Sequence, residues 1–160
     1  MFLEIMGLPV HPLVVHAAVV FVPLLVLLAI GYGILPRFRA KTGWAVAILA
    51  VLAPASALFA KLSGEELLEA LIAKGYPPPI VAQLTEHQEY GDLLFWFSLG
   101  LGIVTGLLLY VTSARASSAN LPRWVALVLT GLVIVFGVLS AVYVYLTGDS
   151  GAQVVWNGVL

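Results

Sequence analysis

The stretch "GLPVHPLVVHAAVVFVPLLVLLAIGYGIL", residues 7–35, decides the fold. An α-helix rises ~1.5 Å per residue, so ~20 apolar residues cross the hydrocarbon core of a bilayer. From Pro12 to Leu35 no Asp, Glu, Lys or Arg interrupts the run. Yet it opens on two histidines, His11 and His16, and imidazole is costly to dehydrate. A membrane helix that begins this way needs a reason for them.

Three further runs follow. "WAVAILAVLAPASALFAKL" begins at Trp44, "DLLFWFSLGLGIVTGLLLYVTSA" at Asp92, and a fourth starts near Pro122. Together they predict an all-α integral membrane protein, a four-transmembrane-helix bundle forming one domain over residues 1–160. The expected spans are about 12–35, 43–62, 92–113 and 122–146, with an amphipathic extracytoplasmic segment over about 63–91. Composition agrees: the chain is 62% hydrophobic and 9% charged, with a mean hydropathy of +1.09. Soluble domains are roughly 45–50% apolar and about 25% charged. The absence of cysteine excludes disulfides, iron–sulfur clusters and thiolate metal sites. A net charge of −1 offers nothing to a nucleic acid. "MFLEIMGLP" lacks the basic region of a secretory signal, so the first run is read as a retained helix.

Charge sets an expected orientation. Four spans put both termini and the long loop between spans two and three on one side. All eight acids fall there: Glu4, Glu65, Glu66, Glu69, Glu86, Glu89, Asp92 and Asp149. The two short connections carry Arg37, Arg39, Lys41, Arg115 and Arg123 with no acid. Basic short loops stay in the cytoplasm. The expectation is a multi-pass protein of the bacterial inner membrane with both termini outside, Trp44 and Trp124 marking the cytoplasmic interface. Pro23 and Pro54 lie within spans and are expected to kink them. Gly102 and Gly106 form a G-x-x-x-G that suits internal helix packing, or else a homo-oligomer contact.

The histidines share the acid-rich side. His16 lies 21 residues before Arg37 and Glu65 lies 21 residues after Trp44, roughly 31 Å in each case. His87 and Asp149 fall somewhat higher by the same count, with His11 and Glu69. All four helices therefore bring a polar group to one membrane edge. Pro12 suits a first helical position and favours an extended His11, so His11 is expected just before the helix and His16 one turn inside it. "YPPP" (76–79) should end an amphipathic continuation of span two, and "IVAQLTEHQEYGD" (80–92) suits a short helix leading into span three. Neutral imidazole and carboxylate are ligands for zinc, iron and copper, and imidazole also binds haem iron axially. His16 and His87 are the candidate cofactor ligands. The wider candidate metal set is His11, His16, Glu65, Glu66, His87, Glu89 and Asp149. His16, the deepest, is the expected anchor, while Glu4 and Asp92 are expected simply to meet water.

"GLPVHPLVVHAAVVFVPLLVLL", "LSGEELLE", "EHQEYGD" and the closing "TGDSGAQVVW" together resemble the bacterial membrane-protein family called domain of unknown function 2231. The likeness covers most of the chain in order, and H-P-x-x-x-H is its most specific part. It implies a four-helix membrane protein and, through relatives found beside redox modules such as Rieske domains, electron transfer. The recurrent polar positions of the family fall on His11, His16, Glu65 or Glu66, His87 and Glu89. The resemblance implies histidine where this chain has Asp149, a departure that counts against a bis-histidine haem using that position.

Three functions follow as expectations. The first is a redox or metal centre holding haem b or a transition-metal ion (Zn, Fe or Cu) near the outer face and exchanging electrons with a periplasmic redox protein or a quinone. The second is a non-catalytic subunit or assembly factor of a larger, respiratory-type membrane complex. The third is a small transporter with helices broken at Pro23 and Pro54, disfavoured because no ionisable residue lies between the polar layer and the arginines. "EHQEY" does not supply the two histidines of a zinc-protease motif, and no catalytic residue is assigned.

Overall fold

The computed structural model describes residues 4–5, 8–113 and 122–157. A two-residue antiparallel ladder pairs β1 (Glu4–Ile5) with β2 (Leu8–Pro9), Glu4 opposite Pro9 and Ile5 opposite Leu8. Four long helices follow: α1 (Val10–Ile34), α2 (Arg39–Ala73), α3 (Pro78–Val111) and α4 (Arg123–Asn157). All four are long and apolar enough to cross a membrane. Each packs on its neighbours in a ring, α1 on α2 and α4, α3 on α2 and α4. Helices α1 and α3 face each other across the diagonal, as in an up-down-up-down bundle.

Two boundaries differ from expectation. The helix α1 starts at Val10, so His11 lies inside its first turn, where N–H groups have no intrahelical partner and Pro12 costs nothing. Residues 80–92 form no separate short helix; they are the opening turns of α3, which runs unbroken into its apolar part. At 35 and 34 residues, α2 and α3 exceed the ~20 needed to cross the hydrocarbon core. Their facing ends carry Glu65, Glu66, Glu69, Glu86 and Glu89. The turn between them uses Gly75 at φ +76°, then Pro77 in extended conformation and Pro78 and Pro79 in the first turn of α3.

Helices α1 and α2 run through Pro23 and Pro54 without interruption. Pro54 has no N–H to give to the Ala50 carbonyl. That carbonyl faces Gly102 of α3, where a Cβ would stand 2.5 Å from the oxygen and 3.3 Å from Pro54 Cγ. Glycine thus lets α3 close onto the α2 carbonyl that proline left without its donor. Gly102 is filled from within the bundle and cannot serve a second copy, whereas Gly106 opens outward with nothing within 4 Å of its Cβ position. The core is a column of Val22, Leu25, Ala29, Val46, Ala53, Leu101, Leu108 and Val133, all fully buried.

At the end with the α1–α2 connection, a 3-10 turn over Pro36–Phe38 reverses the chain. Arg39 then donates from Nε to the Tyr32 carbonyl and from Nη2 to the Gly33 carbonyl, both at 3.1 Å. A cation at these last carbonyls satisfies acceptors and complements the helix dipole. The Tyr32 hydroxyl and Thr112 Oγ1 lie 2.7 Å apart, tying α1 to α3 across the diagonal. Arg37, Arg39, Lys41 and Arg123 all belong to this end; Arg115, part of the same expected basic set, lies outside the described residues.

Candidate functional site

At the other end the diagonal is closed by two imidazoles. His11 of α1 and His87 of α3 meet with ring centroids 6.0 Å apart and planes at 84°. Both are partly buried. Helices α2 and α4 complete the setting, and they do so alike. His11 Nδ1 lies 3.0 Å from the Ala60 carbonyl and 3.2 Å from Ser63 Oγ. His87 Nδ1 lies 3.0 Å from Ser150 Oγ. Each serine in turn donates to the carbonyl three residues earlier, Ser63 to Ala60 and Ser150 to Thr147.

Those bonds assign the tautomers. A carbonyl only accepts, so His11 Nδ1 carries the proton. Ser150 spends its own proton on Thr147, so its oxygen accepts from His87 Nδ1–H. In both neutral rings the lone pair is then on Nε2. The residue after each serine is a glycine, and each glycine lies against its imidazole. A Cβ at Gly64 would be 3.0 Å from His11 Cε1, and one at Gly151 would be 2.8 Å from His87 Cε1. The hairpins α1–α2 and α3–α4 thus present the same device, a histidine seated on a Ser-Gly of the following helix. A buried hydroxyl, Thr147 Oγ1, stands one turn before Ser150 and has no hydrogen-bond partner among the described residues.

His16, the expected anchor, does not join this pair. It is exposed, and its Nδ1 bonds back to the Pro12 carbonyl at 2.7 Å. The reason is angular: five residues turn an α-helix by ~500°, leaving His16 about 140° around from His11. With His11 turned inward, His16 looks out.

The carboxylates also go elsewhere. Glu65 pairs with Lys61, which also donates to Asp92 of α3 at 2.7 Å. Asp92, expected simply to meet water, therefore bridges α2 and α3. Asp149 is exposed and accepts from Gln153 at 2.8 Å. Its neighbour Ser150 faces His87, which leaves position 149 about 100° away. Glu86 accepts from the Tyr90 hydroxyl, and Glu69 and Glu89 are exposed. Glu66 lines a cavity of about 110 Å³ with Val10, Val14, Phe59, Leu62 and Ser63, beside the His11 cradle. The side chain of Glu4 is outside what the structure describes. Among the described residues, no three His, Asp or Glu side chains converge closely enough to hold a metal ion. What converges is the pair.

The family model described as "Predicted membrane protein (DUF2231)" matches residues 7–160. The chain belongs to the DUF2231 family. Neither a curated protein nor a solved structure matches it. The segment of this DUF2231 protein that the family covers includes both histidines of the pair and both Ser-Gly dipeptides. Sequence reading missed Ser63, Gly64, Ser150 and Gly151 as partners of the pair. The available signal was the dipeptide itself, recurring with its serine 52 residues after one histidine and 63 after the other.

Proposed function

We propose that this DUF2231 protein is a metal- or haem-centred membrane protein whose centre is the His11–His87 pair at the end of the bundle that carries the acids. One observation carries the reading: two imidazoles from opposite helices meet at 6.0 Å with each Nδ1–H tied to a protein oxygen. Metal-ligating histidines almost always donate their second nitrogen in this way, which fixes the ring and raises the basicity of the ligating nitrogen.

The pair would hold haem iron or a transition-metal ion, and the redox change of such a centre would serve a periplasmic redox protein or a quinone. The acid-rich end lies outside in this reading, with the arginine end in the cytoplasm. A reporter fused after residue 160 is then active only in the periplasm, and cytoplasmic activity refutes the orientation. Protein purified in mild detergent should carry stoichiometric metal or a Soret band that His11→Ala and His87→Ala each remove. Preparations with neither signal, after growth with metal and haem supplied, refute the centre.

A further inference from the structure

The seam between α2 and α3 carries a feature that the histidine pair does not use. From the close contact at Gly102 toward the acid-bearing end, the seam opens into a groove of about 320 Å³. Ala50, Pro54, Ala55 and Leu58 of α2 and Phe95 and Leu99 of α3 line it. Val51, on its rim, is exposed, so the groove faces the surrounding lipid.

The stripes that line the groove continue into charge. Along α2, Pro54, Leu58, Lys61 and Glu65 follow at spacings of four, three and four. Along α3, Leu99, Phe95 and Asp92 follow at spacings of four and three. Such spacings keep side chains on one face of a helix. Lys61 donates to Glu65 and, across the seam, to Asp92. The ion cluster therefore caps the outer end of the groove.

We infer that the groove and its charged cap bind one phospholipid whose headgroup carries a primary ammonium, a lipid of the ethanolamine type. The order of the chemistry leads there. Outward along α2 come the apolar wall from Pro54 to Leu58, the cation of Lys61, and the anion of Glu65 ~6 Å farther on. Such a lipid presents an acyl chain, a phosphate and an ammonium in the same order. Length agrees, since Asp92 stands ten residues from Gly102 along α3. That is ~15 Å, half of the ~30 Å hydrocarbon core and so the depth of one leaflet.

Charge agrees as well. One lysine beside two carboxylates leaves the cap with an excess of one negative charge. Lys61 meets each carboxylate through one oxygen. The second oxygens accept from the N–H groups of the lipid ammonium, and the third proton of Lys61 goes to the phosphate. A choline headgroup has no N–H to donate, and a glycerol headgroup has no cation.

The test is native mass spectrometry of the full chain released from mild detergent. Phosphatidylethanolamine, phosphatidylcholine and phosphatidylglycerol with identical acyl chains are titrated in turn. One phosphatidylethanolamine per chain is expected, retained at about fivefold lower concentration than the other two, the worth of one partly exposed charge contact. Glu65→Gln leaves the Lys61–Asp92 bridge in place and erases that preference. Ala55→Leu grows into the open groove without touching a charge, and it weakens retention of all three lipids. Asp149→Asn, at the same end of the bundle on α4, changes neither. Equal retention of the three lipids by the wild type, a preference that survives Glu65→Gln, or wild-type retention by Ala55→Leu overturns the inference.

Discussion

Replacing Gly102 by alanine tests the packing on which the position of α3, and with it His87, depends. The added Cβ would lie 2.5 Å from the Ala50 carbonyl oxygen, about 1 Å short of ordinary contact, and 3.3 Å from Pro54 Cγ. Backbone on one side and a proline ring on the other cannot swing away as a flexible side chain would. The helices must separate, and overpacking of this kind costs ~1–3 kcal/mol. Alanine returns up to ~1 kcal/mol through its better helix propensity. The net expectation is a loss of about 1–2 kcal/mol. Gly106→Ala, one turn along the same helix with open space at its Cβ, keeps the propensity gain without the clash. The assay is reversible unfolding of both variants in mixed detergent and SDS micelles, followed by tryptophan fluorescence. Gly102→Ala should unfold at lower SDS than wild type, and Gly106→Ala at the same or higher. Equal stability of the two variants would refute the close approach of α3 to Ala50. Loss of an oligomer in Gly106→Ala alone would show that the outward half of the G-x-x-x-G is a contact between copies.

Other expectations are narrower. Lys61→Met and Asp92→Asn should each destabilise the bundle, and the double variant by less than their sum. The coupling should be ~0.5–1 kcal/mol, as befits a partly exposed pair; strict additivity in the same micelle assay would deny the α2–α3 bridge. Tyr32→Phe removes the 2.7 Å contact with Thr112 and should cost ~1 kcal/mol, the net worth of one hydrogen bond; an unchanged midpoint would count against that tie. His16→Ala should alter neither stability nor the spectrum or metal content of the purified protein, and loss of either signal would restore His16 as a ligand. Metal affinity should fall as pH drops through the imidazole range, because each ligand must shed a proton before binding. Affinity that is flat between pH 8 and pH 5 would argue against histidine ligation.

The four spans and the polar end were legible because they depend on counts along the chain. A run of ~20 apolar residues crosses a bilayer whatever it packs against, and depth follows from 1.5 Å per residue. Rotation about each helix axis was not legible. In a soluble bundle the polar face announces which side looks outward, but here lipid is as apolar as the core, and all four helices are apolar nearly all round. Val22, Leu25 and Ala29 face inward while Val19, Val20 and Leu27 face lipid, with no chemical difference to separate the sets. The azimuth of α1 is set by how these residues interlock with α2 and α4, and it decides which histidine enters the bundle. Depth counting therefore favoured His16, which lies about 7.5 Å deeper than His11 and faces outward, and the same blindness separated Asp149 from its inward neighbour Ser150. Small residues carry the missing information. Where an imidazole must press its Cε1 edge against the next helix, that helix has to offer a glycine, with a hydroxyl beside it for the ring N–H. Ser63-Gly64 and Ser150-Gly151 meet both demands, each one helix downstream of an inward histidine. Among the described residues His16 has no such partner, and its Nδ1 bonds to its own backbone.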